Sequence, residues 1–268
     1  MPAAGHPRPG DLHHAVGTRR RPARRRILAA RRRARLTTDP ERTAVTRYCL
    51  FDLDGTLTDP ETGIVASLRH ALSAVGVPEA EHERLRAMIG PPLQEGFLML
   101  GVPPERVDDA VRAYRERYTD GMYENEVIEG IPAVLEALVA GGWTLAVATS
   151  KPAVYAEKIL VHFGLDGFFT YVAGATLDGS RRHKADVIRH ALDVLGAPPE
   201  AAVMIGDRME DVAGAAACRV RSIAVTWGFG DAAEFVDPGL IAVVDTPRRI
   251  LDVLSQTAIP EMDTPGGS

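Results

Sequence analysis

Short apolar segments alternate with amphipathic helical segments from Arg47 onward, and this alternation limits the fold more than any other feature of the chain. The β-rich segments lie at residues 48–52, 144–149, 171–173, 203–207, 222–226 and 241–244. Helical segments such as 153–163, 184–195 and 211–218 follow the later ones. Parallel strands need a long connection, usually a helix, so the pattern predicts a parallel sheet covered on both faces. The expected fold is α/β, a doubly wound, Rossmann-like sheet.

Residues 61–125 interrupt the alternation with helical periodicity and no convincing strand. One apolar stripe at helical spacing ends at Gly76 and consists of Ile64, Val65, Leu68, Leu72 and Val75. Further helices are predicted at 80–89, 93–100 and 104–122. We therefore expect a helical cap at 61–125, inserted into an α/β core formed by residues 45–60 and 126–256.

The N-terminal arm differs from the rest of the chain in charge. Residues 1–47 hold thirteen arginines against three acidic residues, a net charge of +10, which leaves −15 for the remainder of a chain whose total is −5. Residues 1–44 contain too few apolar side chains to offset the entropy of ordering, so we expect disorder there and in the tail at 257–268. A targeting role, a binding role and natural initiation at Val45 all stay open for the arm.

Composition excludes several other classes of protein. No window holds 18 consecutive apolar residues, so no membrane span is expected. Two cysteines, Cys49 and Cys218, cannot form a disulfide framework or a cysteine zinc site, and they favour a cytoplasmic location. The acidic body repels polyphosphate, so nucleic acid is not an expected partner. A monomer and a homodimer are both compatible with the sequence.

Carboxylates follow two of the predicted strands. Asp52 and Asp54 come at the end of the first, and Asp207 and Asp211 at the end of the strand at 203–207. Taken alone, each pair could be a solvated turn or a helix-start acid favoured by the helix dipole. In an open α/β sheet, however, the carboxyl ends of the strands share one edge, which is where ligands bind. We expect the four carboxylates to meet there.

Hydroxyl groups and a lysine follow the same arrangement. Thr149 ends the strand at 144–149 and Ser150 follows it, and Lys184 begins a helix after a polar loop. Each could be a helix cap or a surface residue. Because all of them fall at the same predicted sheet edge as the carboxylates, a shared site becomes the better explanation.

In motif order, residues 47–256 resemble the haloacid dehalogenase superfamily of phosphohydrolases. The matching positions are Asp52 and Asp54 in its first motif, Thr149 in its second, Lys184 in its third, and Asp207 with Asp211 in its fourth. The insertion resembles the helical cap of the superfamily. Segments 126–132, 148–152, 176–180 and 206–208 are similar to the branch that contains 5'-nucleotidase-like and phosphoglycolate-phosphatase-like enzymes.

The resemblance implies a phosphomonoester hydrolase with an aspartyl-phosphate intermediate, acting on a small phosphorylated metabolite. It implies that Asp52 is the nucleophile and Asp54 the acid and base, and that Thr149 and Lys184 stabilise the phosphoryl charge. The expected phosphate-binding groups are Leu53, Asp54, Thr149, Ser150 and Lys184.

Clustered carboxylates would repel one another without a cation, and oxygen ligands favour Mg²⁺ over zinc. The expected metal ligands are Asp52, Asp207 and Asp211, joined by Asp54 through its main-chain carbonyl, as the resemblance implies. Asp211 either binds the metal through water or supports the other ligands from behind.

Two other functions stay open, a phosphosugar mutase of the same fold and a non-enzymatic nucleic-acid-binding protein that uses the arm. Two local features are also undecided. Lys151 either contacts phosphate or starts a helix at the surface, and residues 90–94 form either a loop that reaches the leaving group or a simple turn. Residues 227–233 loosely imitate a dinucleotide fingerprint but lack its acidic partner, so we do not expect a dinucleotide there.

Overall fold

The computed structural model describes residues 47–257. Its strands are β1 (Arg47–Phe51), β2 (Thr58–Asp59), β3 (Glu126–Val127), β4 (Trp143–Pro152), β5 (Tyr171–Ala175), β6 (Ala202–Gly206), β7 (Arg221–Val225) and β8 (Leu240–Val244). Its α-helices are α1 (Glu61–Ala74), α2 (His82–Arg86), α3 (Leu93–Met99), α4 (Val107–Gly121), α5 (Ile131–Ala140), α6 (Ala153–Phe163), α7 (Lys184–Leu195), α8 (Met209–Ala217) and α9 (Pro247–Gln256). The arm at 1–44 and the tail from 258 lie outside the described residues.

The main sheet is parallel, has six strands and follows the order β5-β4-β1-β6-β7-β8. β1 lies at its centre, and the chain leaves β1 toward β4 on one side and leaves β6 toward β7 on the other. Helices cover both faces, as the α/β class requires, so the predicted fold class is confirmed.

Side-chain alternation along the central strands divides the core between the two faces. Leu50 and Met204 point into the cluster covered by α7 and α8, whereas Phe51 and Ile205 point into the larger cluster on the opposite face. All four side chains are fully buried. Successive residues of a strand face opposite sides of its sheet, so a continuous apolar run such as 49–51 is buried on both faces.

Helices α1 to α4 lie between two short strands that the sequence did not reveal. β2 pairs with β3 in antiparallel fashion, with Thr58 opposite Val127 and Asp59 opposite Glu126. α1 and α4 are in close contact where they cross. A Cβ built on Gly63 would stand only 1.9 Å from the Gly121 carbonyl oxygen, so the contact needs a glycine at this position. We call residues 61–125 the helical insert.

The predicted helix at 80–89 is shorter in the structure, where only His82–Arg86 is helical. Main-chain bonds from Met88 to Leu85 and from Ile89 to Arg86 span three residues instead of four. The chain tightens there before Gly90, whose φ of 112° requires glycine. By contrast, the predictions at 153–163 and 184–195 coincide with α6 and α7.

Among residues 47–257, the structure contains no helix with the length and apolar character of a membrane span.

A matched pair of valines tests the core assignment. Val203 of β6 is fully buried and Val243 of the edge strand β8 is 45% exposed. We expect Val203→Ala to lower the free energy of unfolding by roughly 2 kcal/mol, because it removes buried methyl groups and leaves a cavity. Val243→Ala should cost less than about 0.5 kcal/mol. Urea denaturation measures both, and equal losses would contradict the described core.

Candidate active site

The candidate site occupies the crevice where the strand order reverses. Asp52 directly follows β1, and Asp207 directly follows β6, its neighbour in the sheet. The connections from these two strands leave in opposite directions, so their carboxyl ends are left uncovered by either connection. The topology therefore brings together acids that lie 155 positions apart in the chain.

Three carboxylates form an acidic triad in this crevice. Asp52, Asp207 and Asp211 each offer an oxygen within 4.8 Å of the oxygens of the other two, and all three residues are buried. Burial, with added repulsion from Asp211 and Asp52, raises the pKa of Asp207. Burial also raises the pKa of Asp211, although Lys184 opposes the change. Collecting negative charge here costs free energy that a cation would recover.

Lys184, the first residue of α7, supplies one cation. Its Nζ lies 2.9 Å from Asp52 Oδ1 and 2.6 Å from Asp211 Oδ1, and it donates a hydrogen bond of 3.1 Å to the Ala148 carbonyl. Burial lowers the pKa of Lys184, but Asp211 and Asp52 outweigh burial and raise it. Lys184 is therefore charged at neutral pH.

One lysine does not satisfy the triad. Asp52 Oδ1 and Asp211 Oδ1 contact the ammonium without a well-directed hydrogen bond, so both buried oxygens keep unused acceptor capacity. Three carboxylates with no histidine or cysteine among them are a donor set for a hard divalent cation such as Mg²⁺. The residues present thus fit the expected metal.

Asp54 lies apart from the triad, and its carboxylate has a different partner. Its Oδ2 is 2.6 Å from Nζ of Lys151, while its Oδ1 is buried without a hydrogen-bond partner. Burial raises the pKa of Asp54 although Lys151 opposes the change. Asp52 and Asp54, although close in the chain, therefore belong to two different charge clusters: Asp52 lies with Lys184 in the triad, and Asp54 lies with Lys151.

A tight turn produces this division. The Leu53 carbonyl accepts main-chain bonds from Leu57 and Thr58, at 2.9 and 3.0 Å, and Gly55 adopts a φ of 79°. A residue with a side chain is strained at that φ, and a Cβ there would also strike the Asp207 carboxylate. Gly55 thus permits both the turn and the close approach of Asp207.

The remaining predicted residues also lie at this edge. Thr149 is buried near the carboxyl end of β4, three residues before Pro152, and its Oγ1 accepts a bond of 3.2 Å from the Lys151 amide, so its own hydroxyl hydrogen is available to a ligand. Ser150 is the next residue. Both line a cavity of about 420 Å³ between the sheet edge and the helical insert, along with Asp52, Asp54 and Lys184.

Residues after β7 hold Asp207, and sequence analysis did not identify them. The Phe229 amide donates to Asp207 Oδ2 at 2.8 Å, and the Thr56 hydroxyl donates to Oδ1 at 3.1 Å. A Cβ on Gly228 or Gly230 would stand 2.2 or 2.0 Å from atoms of Asp207. These glycines are needed because the chain passes close to the Asp207 carboxylate, which explains the spacing that imitates a dinucleotide fingerprint. That glycine spacing was the signal in the sequence that could have indicated this contact.

Arg208 joins the same edge to the helical insert. Its guanidinium Nη2 donates to the Ile89 carbonyl, while its main-chain amide donates to Asp211 Oδ2 at 3.0 Å. Residues 90–94 follow Ile89 directly and line the cavity, so they are more than a remote turn between helices.

Comparison with known proteins places this geometry in a family. The family model described as haloacid dehalogenase-like hydrolase matches residues 49–225. A relative named 5'-nucleotidase, from Pseudomonas aeruginosa, is 49% identical over 197 residues, which cover 72% of this chain and 89% of the relative.

Two further matches have the same fold but carry different names. Tyrosine-protein kinase PtkA from Mycobacterium tuberculosis is 44% identical over 208 residues, which cover 77% of this chain and 70% of that protein. The crystal structure of a predicted phosphatase from Clostridium acetobutylicum superposes with a TM-score of 0.73 at 39% identity, over 78% of this chain and 99% of that one.

The acidic triad predicts a metal-dependent stability. We expect Mg²⁺ to raise the melting temperature of the wild-type protein. A free Mg²⁺ concentration 100 times the dissociation constant should stabilise the folded state by about 2.7 kcal/mol. Asp207→Asn should remove most of that increase because it removes a ligand, whereas Asp193→Asn on the exposed side of α7 should retain it. Thermal unfolding with and without Mg²⁺ gives the answer, and identical shifts in both variants would be evidence against a metal at the triad.

The raised pKa of Asp207 predicts a pH dependence in metal-free protein. The folded state holds the Asp207 proton more tightly than the unfolded chain does, so the contribution of Asp207 to wild-type stability falls as pH rises from about 4 into the neutral range. Asp207→Asn cannot lose that proton. We therefore expect the stability of the variant relative to wild type to increase between pH 5 and pH 8, which urea denaturation in EDTA measures. If the difference in stability between Asp207→Asn and wild type does not change with pH, the raised pKa of Asp207 is contradicted.

Proposed function

Because the chain belongs to the haloacid dehalogenase-like hydrolase family, we propose that it is a Mg²⁺-dependent phosphomonoester hydrolase that forms an aspartyl-phosphate. The observation that carries this proposal is the position of Asp52. Its carboxylate belongs to the acidic triad, lies 2.9 Å from the ammonium of Lys184 and lines the wall of the cavity. A carboxylate in that place can reach phosphorus while cations neutralise the phosphate oxygens.

The proposed metal ligands are the carboxylates of Asp52, Asp207 and Asp211 and the main-chain carbonyl of Asp54. When bound, Mg²⁺ supplies positive charge that offsets the repulsion between these acids and an entering phosphate dianion. Phe229 and Thr56 hold Asp207 in orientation from behind.

In the first step, an oxygen of Asp52 attacks phosphorus and the bond between phosphorus and the ester oxygen breaks. Asp54 gives its proton to the departing oxygen, so the alcohol leaves neutral and Asp54 becomes a carboxylate. Burial raises the pKa of Asp54, which favours the protonated form that this step needs.

In the second step, Asp54 takes a proton from water while the water oxygen attacks phosphorus, and the bond between Asp52 and phosphorus breaks. The sum is ester and water giving alcohol and inorganic phosphate, with both aspartates restored. Splitting one difficult displacement into two is the function of the covalent intermediate.

Around the transferred phosphoryl group, we propose that Thr149 and Ser150 donate hydroxyl hydrogens and that Leu53 and Asp54 donate main-chain N–H groups. Lys184 neutralises the charge that develops on the oxygens. Its buried ammonium, already 2.9 Å from Asp52, supports that assignment.

We propose that the helical insert at 61–125 is a cap that excludes water from a core formed by 45–60 and 126–256. The leading substrates are small phosphorylated metabolites, phosphoglycolate and nucleoside 5'-monophosphates. Arg115 supports a polar or acidic leaving group, since it lines the cavity and its buried Nε has no hydrogen-bond partner.

Replacing the nucleophile tests the proposal. We expect Asp52→Asn to lower kcat by at least about 10³-fold, because an amide cannot form the aspartyl-phosphate. Asp193→Asn, an exposed change of the same kind in α7, should retain wild-type turnover. Phosphate release from a panel of phosphorylated metabolites with Mg²⁺ measures both, and circular dichroism checks the fold. Activity of Asp52→Asn near the wild-type level would refute the role of Asp52.

The same assay separates the alternatives. Hydrolysis requires one inorganic phosphate for each alcohol released, whereas a phosphosugar mutase would accumulate a hexose bisphosphate. The 44% identity to a protein named tyrosine kinase makes phosphate transfer from ATP to tyrosine the second candidate, which labelled ATP would reveal. Salt-sensitive nucleic-acid binding lost on deletion of 1–44, without phosphate release from any ester, would favour a binding protein.

A further inference from the structure

The steps above give no role to Lys151, although it is a buried cation at the site. Its side chain is 6% exposed, comparable to 4% for Lys184. A lysine is almost never buried to this extent without partners, because the desolvation of its charge must be offset. The partners of Lys151 therefore indicate what it does.

Those partners belong to different parts of the fold, one to the core and one to the helical insert. Lys151 follows Thr149 and Ser150 on β4, and its Nζ lies 2.6 Å from Asp54 Oδ2 in the core. The same Nζ donates a hydrogen bond of 2.5 Å to the hydroxyl of Tyr118, which belongs to α4 in the helical insert. One ammonium thus connects the proposed acid and base to the proposed cap.

We propose that Lys151, held by the Tyr118 hydroxyl, is a positioning residue that selects which oxygen of Asp54 exchanges the proton with the leaving group. Contact with Lys151 restrains Oδ2. The other oxygen, Oδ1, is buried, has no hydrogen-bond partner and belongs to a residue that lines the cavity. Oδ1 is then the oxygen presented to the ester, and this inference depends on the proposed hydrolysis.

The surroundings of Tyr118 keep its hydroxyl in place. Its ring stacks on Tyr114 with centroids 5.2 Å apart, and Tyr155 of α6 meets it edge-on at 5.7 Å. Only 2% of Tyr118 is exposed. Because Tyr118 belongs to the insert and Lys151 to the core, their bond forms only when the insert covers the cavity. Asp54 is therefore fully oriented for proton transfer only in the covered site.

Tyr118→Phe tests this role, since it removes the hydroxyl and keeps the ring. Two esters are compared in Mg²⁺-loaded, full-length protein. Phosphoglycolate releases an alkoxide that needs a proton, whereas p-nitrophenyl phosphate releases a stable phenolate that does not. We expect kcat to fall about 10-fold for phosphoglycolate and less than about 2-fold for p-nitrophenyl phosphate, with KM changed less than kcat.

Two further variants serve as controls. Tyr155→Phe removes a hydroxyl from the same aromatic cluster, and the Tyr155 hydroxyl makes no described contact with Lys151, so turnover of both esters should be retained. Lys151→Met removes the ammonium. Adding Tyr118→Phe to Lys151→Met should lower kcat no further, because the hydroxyl acts through the lysine. Urea denaturation of the four proteins in this cycle should likewise be non-additive, and it needs no turnover.

Each outcome of these measurements either supports or overturns the role proposed for Lys151 and Tyr118. Equal losses for both esters, or additive effects of the two changes, would assign Tyr118 a purely structural role and overturn the inference. Wild-type turnover of both esters by Tyr118→Phe would overturn it as well. If the wild-type protein releases no phosphate from these two esters or from any ester of the panel above, the proposed function fails, whereas failure of this inference alone leaves wild-type hydrolysis intact.

Discussion

Repulsion among three buried carboxylates is the constraint on which the rest of the site depends. Asp52, Asp207 and Asp211 converge within 4.8 Å, and most of the contacts around them counter that repulsion or fix its geometry. Lys184 provides positive charge, and the Phe229 amide and Thr56 hydroxyl donate to Asp207. The glycines near Asp207 leave room for this packing, since any Cβ there would overlap the acid. This arrangement costs free energy in the metal-free fold, and it fits the divalent cation and the phosphate that the proposed function requires.

The two buried lysines divide the charge of the site between two tasks. Lys184 faces the triad, where the proposed nucleophile lies, and Lys151 faces Asp54, the proposed acid and base. Asp52 and Asp54 are separated by one residue, yet the turn at Leu53 to Thr58 sends their carboxylates to different cations. In the proposed mechanism, that separation allows Asp52 to stay a nucleophile while Asp54 exchanges a proton. Of these two lysines, Lys151 is the one that also contacts the helical insert, through the hydroxyl of Tyr118.

Much of this arrangement was predictable before any coordinates. Strand alternation predicted the α/β class, helices 153–163 and 184–195 were located to the residue, and acids after the strands indicated one edge. The sequence could not reveal β2 and β3, because two-residue strands carry no periodicity and their paired residues lie 67 and 69 positions apart in the chain. It also missed the segment after β7, since a Gly-x-Gly spacing is compatible with phosphate, a carboxylate or a plain turn.

By itself, then, the sequence determined the fold class, the family resemblance and the residue types at the sheet edge, because local periodicity and motif spacing are properties of neighbouring residues. Only the tertiary structure decided which cation each aspartate contacts. Lys151 could be a surface residue or a phosphate ligand from sequence alone, and it is buried between Asp54 and Tyr118. Pairings of that kind depend on how the insert packs over the core, because they join side chains that are distant in the chain and meet only in the folded protein.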